Sequence, residues 1–162
     1  MGRLSTKENK NIYQLTREAL GLSREKASEL HGSITQERIE KIESEKVLPY
    51  PEEVLVMSKK YKKPELCNHY CVNTCPIGQQ YVPEIKMKDL PQIVLEMIAS
   101  LNMINKKQER LIEITADGSI TEDELGDFTQ IKKELERISL SSEALRLWYE
   151  SMILNSHVEE SD

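Results

Sequence analysis

The stretch that most constrains the fold of this chain is residues 17–46, which read REALGLSREKASELHGSITQERIEKIESEK. Gly21 ends one helical pattern, and Ser23 and Thr35 stand where the N-caps of two further helices belong. His31 and Gly32 close the helix that Ser23 begins. The segment therefore predicts two short amphipathic helices joined by a tight turn, preceded by another helix.

Such an order of elements is the layout of a helix-turn-helix, in which one helix enters the major groove of DNA. Pro51 suits the first turn of a fourth helix, and a short fifth helix is predicted to begin at Pro64 and to stop at Cys75-Pro76. The apolar residues expected to face inward from the first four helices are Ile12, Leu15, Ala19, Leu20, Ala27, Leu30, Ile34, Ile39, Ile42, Val54, Leu55 and Met57.

Residues 10–63 resemble the Cro and lambda-repressor family of helix-turn-helix proteins, also called the XRE family. The residues that carry the resemblance are Arg17, Gly21-Leu22-Ser23, His31-Gly32-Ser33, Ile42-Glu43-Ser44-Glu45-Lys46 and the Pro-led segment from Pro49 to Met57. The resemblance implies a five-helix fold with the third helix in the major groove. It also implies binding as a dimer to a two-part operator in double-stranded DNA.

The resemblance implies roles for individual side chains as well. Base-edge contacts fall on Gln36, Glu37, Arg38 and Lys41, and Arg24 would contact the DNA backbone or a neighbouring base. Glu43 is expected to form a structural ion pair with Arg17. The remaining residues of the predicted DNA-binding set, among them the phosphate-contact candidates, are Ser23, Thr35, Ser44 and Lys46.

Acidic residues on the same segment favour an alternative function. Glu37 and Glu40 lie on the exposed side of the third helix, where the phosphate field repels carboxylates. Ser44-Glu45 stand where the family has Arg-Gly. The alternative hypothesis is a protein-interaction module on a helix-turn-helix scaffold that no longer binds DNA, although a glutamate can also accept from a cytosine amino group.

The charge of the chain is unevenly distributed. Residues 1–63 contain 13 Lys and Arg against 10 Asp and Glu, whereas residues 64–162 contain 9 against 18. The mildly basic part therefore coincides with the helix-turn-helix, and the acidic part lies outside it. No apolar run reaches the about 18 residues of a membrane span, and the N-terminus lacks the apolar stretch of a secretory signal, so a cytoplasmic location is expected.

Residues 88–154 carry two long heptad patterns. The turn Asp117-Gly118-Ser119 separates them, and Thr121 with Glu124 forms a capping-box pattern. They predict helices of about 27 and 33 residues, folded back as an antiparallel hairpin with coiled-coil packing. The first seam is Leu90, Val94, Met97, Leu101, Ile104, Gln108 and Leu111, and the second is Phe128, Ile131, Leu135, Ile138, Ser142, Leu145, Tyr149 and Met152.

A lone hairpin would leave Ile93, Ile98 and Ile112 uncovered. Pairing with a second copy into a four-helix bundle would cover them, which predicts a homodimer through residues 88–154. The alternative is that the hairpin packs on its own N-terminal domain.

Three cysteines fall within one short segment, as Cys67, Cys71 and Cys75. With His69 or an outside ligand they could hold zinc or an iron–sulfur cluster and act as a metal or redox sensor. On one continuous helix, however, the three thiols would spread over about 12 Å, which is too far for one zinc ion. The alternative is that Cys67 and Cys71 are small buried apolar residues.

No glycine-rich phosphate loop, nucleophile elbow or pair of catalytic carboxylates is present in the sequence, so neither an enzyme nor a cofactor nor a small-molecule ligand is expected. The predicted architecture is all-α: a disordered segment 1–9, a helix-turn-helix domain 10–80, a hairpin 88–154 and a disordered tail 155–162. The expected function is sequence-specific transcriptional regulation by a dimer.

Overall fold

The computed structural model describes residues 10–156, and no strand occurs among them. The predicted all-α class is therefore confirmed. The disordered segment predicted for residues 1–9 lies outside the described residues, as do residues 157–162 of the tail predicted for residues 155–162. The prediction is wrong for Asn155 and Ser156, which belong to the last helix. The chain divides into two compact units, one holding the residues up to Glu84 and the helix end from Glu150, the other Ile85–Tyr149.

Three of the described helices of the first unit begin where the sequence places a capping residue. The side chains of Asn11, Ser23 and Thr35 each accept a hydrogen bond from the backbone N–H three residues later. The predicted caps Ser23 and Thr35 are thereby confirmed. The described helices of this unit are α1 (Ile12–Ala19), α2 (Arg24–His31), α3 (Gln36–Glu43), α4 (Pro51–Lys60), α5 (Glu65–Asn73) and α6 (Pro76–Tyr81).

Helix α6 was not predicted. Cys75-Pro76 ends α5 as expected, but Pro76 then occupies the first turn of a new helix, where its fixed φ and missing N–H are tolerated. The two helices pack so closely that a Cβ on Gly78 would lie 2.2 Å from the carbonyl oxygen of Cys71. Glycine is therefore required at this contact.

The core of the first unit differs from the predicted one on several helices. Leu15, Ala19, Leu20, Leu30 and Leu55 were expected inside but are exposed. On α1 the inward face is instead Tyr13, Gln14 and Arg17. The side chains of Asn11, just before α1, and of Arg17 bond to α3, so this face of α1 lies against α3. The buried apolar residues of the unit are Tyr13, Ala27, Ile34, Ile39, Ile42, Val54, Met57, Tyr61 and Leu66.

The second unit contains an antiparallel pair of helices. Arg110 Nε donates to Asp127 Oδ2 at 2.9 Å, and Lys107 bonds to Gln130. Three residues earlier in the first helix therefore corresponds to three residues later in the second, as antiparallel packing requires. The first long helix is broken at Lys107, which corrects the predicted 27-residue helix. The described helices are α7 (Leu90–Lys106), α8 (Gln108–Thr115) and α9 (Leu125–Ser156, which continues past this unit).

The buried seam of the hairpin agrees with the predicted one at Ile131 but is displaced from it at several other positions. Val94, Leu101, Leu135 and Tyr149 were expected inside and are exposed, whereas Ile93, expected to be uncovered, is only 1% exposed. The buried residues of the hairpin are Ile93, Ser100, Ile114, Ile131, Ser141, Ala144 and Leu147.

Candidate nucleic-acid interface

A short turn fixes the position of α3 relative to α2. Gly32 has a φ of +73°, the left-handed conformation that glycine adopts without strain, and its N–H bonds to the carbonyl of Ser28 at 2.9 Å. The Ser28 hydroxyl donates to the carbonyl of Ile34 at 2.9 Å, and the Ile34 side chain is buried. Both ends of the turn are therefore hydrogen-bonded to Ser28 of α2, which fixes the position at which α3 begins.

The end of α3 has a left-handed residue that is not glycine. Glu45 has a φ of +60°, its N–H bonds to the Ile42 carbonyl at 3.1 Å, and the Lys46 N–H bonds to the Lys41 carbonyl at 3.0 Å. These two bonds form a Schellman motif, in which glycine is the usual left-handed residue. Glu45 therefore keeps the turn geometry at a conformational cost.

Glu43 is the centre of a buried ion cluster that joins the first three helices. Its carboxylate is 1% exposed and accepts from Arg17 Nε at 2.6 Å, from Arg17 Nη2 at 2.9 Å and from Arg24 Nε at 2.8 Å. Burial alone would lower the pKa of Arg17, but the bonds to Glu43 raise it above its ordinary value. The predicted Arg17–Glu43 ion pair is confirmed, and Arg24 is engaged by the same carboxylate.

A second ion pair holds Arg38 against α4. Its Nε and Nη2 donate to the two carboxylate oxygens of Glu53 at 2.7 and 2.8 Å, and Nη2 also donates to the Leu48 carbonyl at 3.1 Å. The guanidinium carbon lies 4.8 Å from the centre of the Tyr50 ring. Burial alone would raise the pKa of Glu53, but Arg38 and the Tyr50 N–H lower it below its ordinary value. In this conformation Arg38 connects α3 to α4.

The outward face of α3 consists of Gln36, Glu37, Glu40 and Lys41, all of which are exposed. Their spacing of one, four and five residues places them on one side of the helix, opposite the buried Ile39 and Ile42. Lys41 Nζ lies 2.7 Å from Glu37 Oε1, and this hydrogen bond lowers the pKa of Glu37. The side chains of Gln36 and Glu40 bond to no other described residue.

The structure thus distributes the predicted DNA-binding residues over three settings. Gln36, Glu37 and Lys41 lie on the exposed face of α3, and Ser44 and Lys46 lie at its end. The other four side chains bond within the protein: Ser23 and Thr35 cap helices, and Arg24 and Arg38 form ion pairs. Sequence reasoning missed Glu53, although its place three residues after Tyr50, at the start of a Pro-led helix, is a capping-box position.

The cysteines do not form a metal centre in this arrangement. Cys67 and Cys71 lie on α5 and Cys75 lies beyond its end, and all three are free and half-buried. Burial, followed by the neighbouring thiols of Cys75 and Cys67, raises the pKa of Cys71 and so disfavours the thiolate that a metal needs. Among the described residues, no group of three or more His, Cys, Asp or Glu side chains could hold a metal ion.

Comparison with known proteins gives no relative to guide the interpretation. No protein-family model, no curated protein and no solved structure matches this chain. None of the helices between residues 10 and 156 is long and apolar enough to cross a membrane.

Proposed function

We propose that this protein is a sequence-specific DNA-binding transcriptional regulator of the XRE type that acts as a homodimer. The observation that carries the proposal is the α2–turn–α3 arrangement. One face of α3 is buried in the core, and the opposite face presents Gln36, Glu37, Glu40 and Lys41 to solvent. A helix held in this way by capped ends and ion pairs is suited to insertion into a major groove.

Cationic side chains near this helix are available for phosphate contacts. Lys26 on α2 and Lys46 just after α3 are exposed and form no ion pair with another described residue. Phosphate contacts from such residues supply affinity and register, and side chains on the groove-facing helix supply specificity. The N-termini of α2 and α3 add the positive ends of two helix dipoles.

The apolar surface of the second unit supports a homodimer. Leu95 is 68% exposed and Ile112 is 61% exposed, and monomeric proteins rarely expose large contiguous apolar patches. The exposed apolar residues of this unit are Met87, Val94, Leu95, Ile98, Leu101, Met103, Ile112, Ile120, Leu125, Leu135, Leu140 and Tyr149.

The spacing of these residues favours a second copy of the hairpin as the occupant. Leu95, Ile98, Asn102, Asn105, Glu109 and Ile112 follow the three-and-four alternation of a heptad seam, on the face of α7 and α8 outside the buried one. A helical seam is matched best by another helical seam, and asparagines within it help to fix register and oligomeric state. A symmetric four-helix bundle would bury this surface and pair the two α3 helices for a two-part operator.

The test is selection of genomic DNA fragments by the full-length protein, followed by a salt titration of any enriched site. Binding should weaken with a steep negative slope of log affinity against log salt, since each neutralised phosphate contributes about 0.9 to the slope. A Lys41→Ala, Lys46→Ala double variant should lose affinity, whereas a Lys106→Ala, Lys133→Ala control in the second unit should not. Arg38 is unsuitable as a probe because its removal would disturb the α3–α4 contact. No enrichment at low salt would reject the proposal.

A protein-interaction module is the second candidate function. Leu48, Tyr50 and Leu55 are exposed around the start of α4, and Ile77 and Tyr81 are exposed on α6. Exposed apolar side chains of this size are typical of protein-docking surfaces. This function gains support if no DNA fragment is enriched while a Leu48→Lys, Leu55→Lys variant loses a partner that the wild-type protein retains at micromolar concentration.

A further inference from the structure

We propose that α3 recognises cytosine, with Glu37 and Glu40 accepting hydrogen bonds from N4 amino groups in the major groove. The half-site would then carry cytosines on the strand that these carboxylates face. This inference rests on the proposed function and adds to it the base identity that the site selects.

The first argument is that the arginines near α3 are already engaged. Arg38 is bonded to Glu53 and to the Leu48 carbonyl, and Arg24 is bonded to the buried Glu43. Arginine is the commonest reader of guanine, but a guanidinium that leaves these partners would abandon a carboxylate that is part-buried or fully buried. Direct readout is therefore left to the exposed residues of the α3 face.

The second argument is the chemistry of a carboxylate in the groove. An ionised glutamate only accepts hydrogen bonds. Guanine presents two acceptors in the major groove, thymine presents O4 and a methyl group, and adenine presents N7 beside its amino group. Cytosine alone presents a donor without an acceptor of its own. A glutamate at the base edge is repelled by the phosphates at every sequence. The cytosine amino group offsets that repulsion without placing an acceptor of the same base beside the carboxylate, as adenine N7 would.

The Glu37–Lys41 pair provides an independent match to a C·G base pair. Its two charged groups lie 2.7 Å apart and exposed, so an acceptor stands beside a donor at the groove-facing surface. A C·G pair presents the complement, a cytosine amino donor beside the O6 and N7 acceptors of guanine. Glu37 can therefore accept from cytosine while Lys41 donates to its guanine.

Helix geometry allows both glutamates to reach bases of one half-site. Residues 37 and 40 are separated by about 4.5 Å along the helix axis at 1.5 Å per residue. Base pairs are separated by about 3.4 Å. The two carboxylates would thus fall on neighbouring base pairs, and the unbonded Gln36 side chain, at the start of α3, is placed to pair with an adenine beside them.

The experiment is selection from a random double-stranded DNA library with the full-length protein, its Glu37→Gln and Glu40→Gln variants, and a Glu122→Gln control in the exposed turn before α9. Wild-type sites should contain a cytosine at two positions of each half-site. Changing either cytosine pair to a T·A pair should weaken wild-type binding by about 5- to 150-fold. Each Gln variant should lose most of the discrimination at one position, while its binding to mixed DNA should be equal or tighter because one negative charge is removed. The control should behave as the wild type.

The possible failures are distinguishable. If the enriched sites show no preference for cytosine, the proposed cytosine recognition is wrong, and the regulator proposal stands. The same holds if both Gln variants keep the cytosine preference of the wild type. Failure of every protein to enrich any DNA at low salt overturns both. Urea unfolding of each variant, expected to match the wild type because both glutamates are exposed, shows that a changed preference comes from the contact and not from the fold.

Discussion

The two units of this protein use amphipathic helices of the same kind with different results. In the first unit the described helices α1 to α6 cover one another around nine buried apolar residues, with the buried Arg17–Glu43 pair among them and the Arg38–Glu53 pair nearer the surface. In the second, the helical hairpin buries one seam and leaves a second apolar seam exposed. Several crossing helices can enclose a core, whereas two antiparallel helices can cover only one face of each other. The first unit is therefore stabilised by its own contacts, and the second is expected to need a partner.

Removing the centre of the buried ion cluster should have the largest effect. Glu43→Ala leaves Arg17 buried without its carboxylate, and breaking a buried pair in this way costs about 3–5 kcal/mol. Urea unfolding followed by circular dichroism should show a fall of that size in the free energy of unfolding of the first unit. The matched variant Glu40→Ala, on the exposed face of the same helix, should stay within about 0.5 kcal/mol of wild type. Similar losses in both variants would contradict the structural role of the cluster.

Charging the exposed seam of the hairpin should dissociate the dimer. An Ile98→Lys, Ile112→Lys variant places two cations on a surface expected to be buried between copies, which should raise the dimer dissociation constant by at least about tenfold. Sedimentation velocity over a concentration series measures this.

The control for that variant lies in the first unit. Leu48 and Leu55 are exposed to a similar degree, and a Leu48→Lys, Leu55→Lys variant should keep the oligomeric state of the wild type. A wild-type protein that is monomeric at micromolar concentration would remove the distinction drawn between the two units.

Relieving the strained turn after α3 should produce a smaller effect of opposite sign. Glu45→Gly removes the left-handed penalty of a non-glycine residue and should stabilise the first unit by about 1 kcal/mol. Glu40→Gly, in the middle of the same helix, should instead destabilise it by about 1 kcal/mol. Thermal unfolding of the two variants checks the pair, and equal shifts in one direction would show that position 45 is unstrained.

The stability of the first unit should also decrease mildly in acid. Burial, followed by the charge of Lys60, lowers the pKa of His31 below its ordinary 6.5, and its ring is packed 4.8 Å from that of Tyr61. The unfolded chain therefore binds a proton before the folded one, so stability falls as pH drops below 6.5. His31→Phe should reduce the change in urea midpoint between pH 7.5 and 5.5, with His69, whose pKa burial also lowers, accounting for a remainder. An unchanged pH dependence would show that His31 titrates normally.

The first unit could be anticipated closely where the signal was local. Capping residues at 23 and 35, the turn glycine at 32 and the Arg17–Glu43 pair were predicted, because each depends on a few neighbouring residues or on a recurrent pattern. The restraint of Arg38 was not, since it depends on Glu53 from the next helix. The predicted set of DNA-contact residues therefore included side chains that the fold engages elsewhere.

The hairpin shows the limit of periodicity. Its heptad spacing determined that two helices pair in antiparallel fashion, and this is present in the sequence because turn and period are local properties. The tertiary structure alone decided which of two overlapping stripes is buried, since Ile93 and Ser100 face inward in place of the adjacent Val94 and Leu101. Adjacent stripes on one helix are nearly equal in apolar content. Only the fit of small and large side chains between the packed helices separates them in free energy.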